Sequence, residues 1–94
     1  MKLAILDAVF AVCKLPDAHL PQWATSSPVM CFVRTPYETS LVCENRLVPE
    51  TVTAERDWRC IRVEGTLDFS LVGVIAKISA ILANANISIF VIST

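Results

Sequence analysis

Histidine appears once, glycine twice and a C-x-x-C pair not at all in this chain of 94 residues, and each scarcity removes a class of function. Zinc sites are built from clustered cysteine and histidine ligands. Here Cys13, Cys31, Cys43 and Cys60 fall singly in four separate apolar segments, with His19 alone to assist. No metal and no cofactor is expected. Charge is scarce too: 18% of residues are charged, the net charge is −1, and lysine and arginine are scattered singly. That pattern lacks the basic footprint that nucleic acids and anionic membranes require. No apolar run reaches the ~18 residues of a membrane-spanning helix. The opening MKLAILDAVFAVCKL has a lysine and an apolar stretch like a secretory leader. Asp7 interrupts that stretch, however, and Val12 is bulkier than cleavage chemistry prefers.

What the chain has in quantity is apolar surface. Hydrophobic residues make up 54% of it, more than a lone small domain easily hides, so a partner surface is expected. Four isolated cysteines in an apolar, loop-poor sequence read as reduced thiols used as small hydrophobes, and a cytoplasmic setting follows from that.

Short β-type runs separated by turn residues dominate the first two thirds. Leu3–Leu6 and Val9–Leu15 form a first run, with a bend expected at Asp7. Pro16, Pro21 and Pro28 leave room only for a short helix at Pro21–Ala24. Val29–Arg34 and Thr39–Glu44 flank the turn residues Thr35, Pro36, Tyr37 and Glu38, which predicts a hairpin with Val29, Cys31, Val33, Leu41 and Cys43 on its apolar faces. Residues 45–57 read as loop with one helical turn. Trp58–Glu64 is a strand, and Gly65–Phe69 is the glycine-marked turn after it. A helix then starts near Ser70, its cap. Leu71, Ile75, Ile78 and Leu82 recur at helical spacing, and Asn84 and Asn86 close the helix. Ile87–Thr94 is a β-branched strand, so residues 58–94 form a β-α-β unit with parallel strands.

The string WRCIRVEGTLDFSLVGVIAKISAILANANISIFVIST resembles the second half of small tandem ACT-domain proteins, a group related to the regulatory domains of aspartate kinases and to arginine sensors of the CASTOR type. V-E-G ends the strand, D-F-S-L-x-G enters the helix, and N-I-S-I-F-x-I-S-T forms the last strand. FAVCKLP and VRTPYETSLVCEN resemble that family's first half more loosely. The resemblance implies an α+β, ferredoxin-like fold with an antiparallel or mixed sheet and helices on one face. Residues 1–57 would form an N-terminal ACT-like half and 58–94 the β-α-β part of a second, incomplete ACT unit. It also implies a regulatory sensor that binds a free amino acid or a similar small ligand, and not an enzyme, while a homo-oligomer is expected from the apolar composition and from Ile87–Thr94, a strand left without a following partner.

A free amino acid needs N–H donors for its carboxylate and oxygen acceptors for its ammonium. Asp68, Phe69, Ser70, Leu71, Val72 and Gly73 supply both: unpaired N–H groups at a helix N-terminus and one acidic acceptor. Gly73 lets a ligand or a neighbouring backbone come close, at about 1 kcal/mol in helix propensity. In ACT proteins the ligand lies at this loop, which implies Ile92, Ser93 and Thr94 as a second wall. The plain alternatives are that Asp68 and Ser70 only cap the helix and that Gly73 serves tight packing. An assembly module without a metabolite is the rival function. An RNA-binding sheet would need paired aromatics, whereas Trp58 and Phe90 stand alone, and a Cys nucleophile with His19 as base has no orienting carboxylate.

Overall fold

The computed structural model describes residues 2–64 and 71–92, in two compact units, Lys2–Val63 and the segment from Glu64 onward. In the first unit, strands β1 (Lys2–Leu15), β2 (Cys31–Arg34), β3 (Thr39–Glu44) and β4 (Ala54–Glu64) build one sheet in the order β2-β3-β1-β4. β3 is antiparallel to both β1 and β2. β4 also runs antiparallel to β1: the Lys14 N–H donates to the Thr53 carbonyl at 2.9 Å near one end, while Arg59 donates to the Leu6 carbonyl at 2.9 Å near the other. This is the strand order of a ferredoxin-like unit.

The helices expected on one face are reduced, in this unit, to 3-10 turns at Gln22–Ala24 and Asn45–Leu47. Proline explains the first. Pro16, Pro21 and Pro28 each remove an N–H donor, and the turn fits between the last two. Ser27 then anchors the loop to β3, its hydroxyl donating to the Val29 carbonyl at 2.6 Å and accepting from the Glu44 N–H at 3.0 Å. After the second turn Arg56 takes over. Its guanidinium donates to the Asn45 carbonyl and side chain and to the carbonyls of Val48 and Pro49, at 3.0–3.3 Å. Asp57, next in the chain, sits in the left-handed region at φ 66.

The core lies on one face of the sheet. Ala11, Cys13, Leu41 and Cys43 are buried there with Ala24 and Val48, and Leu15, Trp23, Phe32, Val52 and Ala54 pack around them. β2 corrects the expected face. Phe32 pairs with buried Leu41, whereas Cys31 and Val33 pair with Val42 and Ser40 on the opposite face. Every position from Val29 to Val33 is apolar, so hydrophobic pattern alone leaves the register open, and a one-residue shift turns each side chain over. Two boundaries also differ. β1 runs through Asp7 as one strand, and β4 begins at Ala54 instead of Trp58.

All four thiols are free, Cys13 and Cys43 buried and Cys31 and Cys60 half-buried. Burial, followed by the adjacent Cys13 sulfur, pushes the Cys43 thiol up to about 11, and burial raises Cys13 as well. The folded state therefore keeps these protons above pH 9 while the unfolded chain loses them. Their contribution to stability is complete below pH 9 and falls as pH rises toward about 11. Denaturant titrations across that window should show this decline, and a Cys43→Ala variant should show less of it.

In the second unit α1 spans Leu71–Asn84. Ile75, Ile78 and Leu82 are half-buried along the expected stripe, and Ile81, to one side of it, is exposed. The C-terminus is a Schellman motif. The Ile87 N–H donates to the Leu82 carbonyl at 2.8 Å, the Asn86 N–H donates to Ala83 at 3.0 Å, and Asn86 has φ 59. Asn tolerates this conformation and β-branched residues do not. Asn86→Val should cost about 1–2 kcal/mol and Asn86→Gly should be neutral or stabilising, measured as helical circular dichroism against temperature. Residues 87–92 carry no strand assignment. The β-branched run expected as a parallel strand has no ladder among the described residues, and a strand exists only with a neighbour.

Candidate functional site

Of the nine residues that the sequence assigns to a ligand site, Asp68, Phe69, Ser70, Ser93 and Thr94 lie outside the described residues. Leu71, Val72 and Gly73 open α1, and Ile92 closes the described segment, partly exposed. α1 is described from Leu71 onward, and the N-terminal turn of a helix is the end that attracts an anion.

Gly73 is exposed, and a Cβ built on it meets nothing within 4 Å. Tight packing against the rest of the described chain is thereby removed as its reason. The position is open to solvent among the described residues.

Residues 53–94 match the ACT domain family. The matched stretch opens one residue before β4, contains α1 and spans all nine residues that the sequence assigns to a ligand site. The chain is also similar to protein Atu0741 from Agobacterium tumefaciens, known from its X-ray crystal structure. The two are 29% identical with a TM-score of 0.85, over 98% of this chain and 69% of that one. No curated protein matches the chain. Together the ACT match and the structural likeness agree with an α+β, ferredoxin-like fold built on a four-stranded antiparallel sheet.

A second feature was not legible from the sequence. β3 leaves β1 after the pair Phe10↔Glu44, and the fork opens a cleft of about 420 Å³ lined by Asp7, Ala8, Val9, Glu44, Asn45 and Arg46. Arg46 Nε donates to Glu44 Oε1 at 2.7 Å across its rim. Its only signal is the difference in length between β1 and β3, 14 residues against 6, and that appears only after folding. Among the described residues no three His, Cys, Asp or Glu side chains gather as a metal site. No helix among them is long and apolar enough to cross a membrane. His19 lies in an exposed loop, where its backbone N–H donates to Asp17.

Proposed function

We propose that the chain is a non-enzymatic regulatory module that binds a free amino acid on the loop Asp68–Gly73, with Ile92–Thr94 as a second wall. The open space beside Gly73 at the start of α1, inside the ACT-matched stretch, carries this reading. The ammonium is held by Asp68 and the carboxylate by N–H groups of the first helical turn. In the same reading residues 1–57 are a first ACT-like half and 58–94 the start of a second. The motifs V-E-G, D-F-S-L-x-G and N-I-S-I-F-x-I-S-T are what suggest that tandem arrangement and a kinship with CASTOR-type sensors. Four free thiols support a cytoplasmic setting.

The test is a thermal-shift screen with the common amino acids. A ligand that binds only the folded state at a hundredfold excess over its Kd contributes about 2.7 kcal/mol, a rise in Tm on the order of 10 °C for a domain of this size. A second reading, an assembly module without a metabolite, draws on the exposed apolar run of Ile87, Ile89, Phe90, Val91 and Ile92. No shift with any amino acid would favour it.

A further inference from the structure

We draw no further inference here: the strongest candidate, the pair of thiols Cys13 and Cys43 on the neighbouring strands β1 and β3, carries nothing because both are fully enclosed in the core and burial, which raises the pKa of each, leaves them inert to oxidants and metal ions.

Discussion

Leu41→Ala is expected to cost about 2–5 kcal/mol, the range for emptying a fully buried leucine site. Leu41 is completely enclosed, sits opposite Cys13 on β1 and Phe32 on β2, and belongs to a buried cluster whose other members are Ala11, Cys13, Ala24, Cys43 and Val48. A chain of this size has a stability of roughly 5–14 kcal/mol in total, so this one truncation removes a large fraction of it. Urea denaturation followed by Trp23 fluorescence gives the measurement, because Trp23 packs against this core. Val33→Ala on the opposite face, 42% exposed, should cost less than about 1 kcal/mol. Equal losses in the two variants would place the core on the wrong face of the sheet.

Asp68→Ala is expected to lower amino-acid affinity more than tenfold while changing stability little. A charge-assisted bond to an ammonium contributes roughly 1.5–3 kcal/mol, against about 1 kcal/mol for a helix cap. Gly73→Val should abolish binding by filling the open space. An added Cβ at this position meets no atom of the described residues within 4 Å outside its own helix, and the variant's circular dichroism separates lost binding from lost folding. Calorimetric titration of both variants with native circular dichroism decides it. Unchanged affinity in both would move the site elsewhere.

How far sequence reading reached differs from element to element. Thr39–Glu44 was legible to the residue because turn residues end it on one side, a helical turn on the other, and its side chains alternate cleanly. α1 was legible from its stripe and its closing asparagines, and the conformation of Asn86 is the physical content of that stop signal. β2 was legible as a strand but not in its facing, since only the ladder to β3 distinguishes two apolar sets. The first four residues of β4, Ala54–Asp57, read as loop because three of them are charged. Their strand character comes from pairing with β1 and from the bonds of Arg56 to Asn45, Val48 and Pro49, partners distant in sequence. Gly73 stood out in the sequence as an anomaly within a helix, and among the described residues outside that helix nothing lies within 4 Å of an added Cβ. The fork at Asp7 and Glu44 had no sequence signal because no single segment encodes it.

The central claim, an amino-acid site on the loop that leads into α1, is tested most directly by amide chemical-shift mapping of the labelled wild-type chain during titration with each common amino acid. The account predicts saturable shifts for one or a few amino acids, concentrated at Asp68–Gly73 and Ile92–Thr94. No saturable shift with any of them, or shifts confined to residues 2–64, would contradict it.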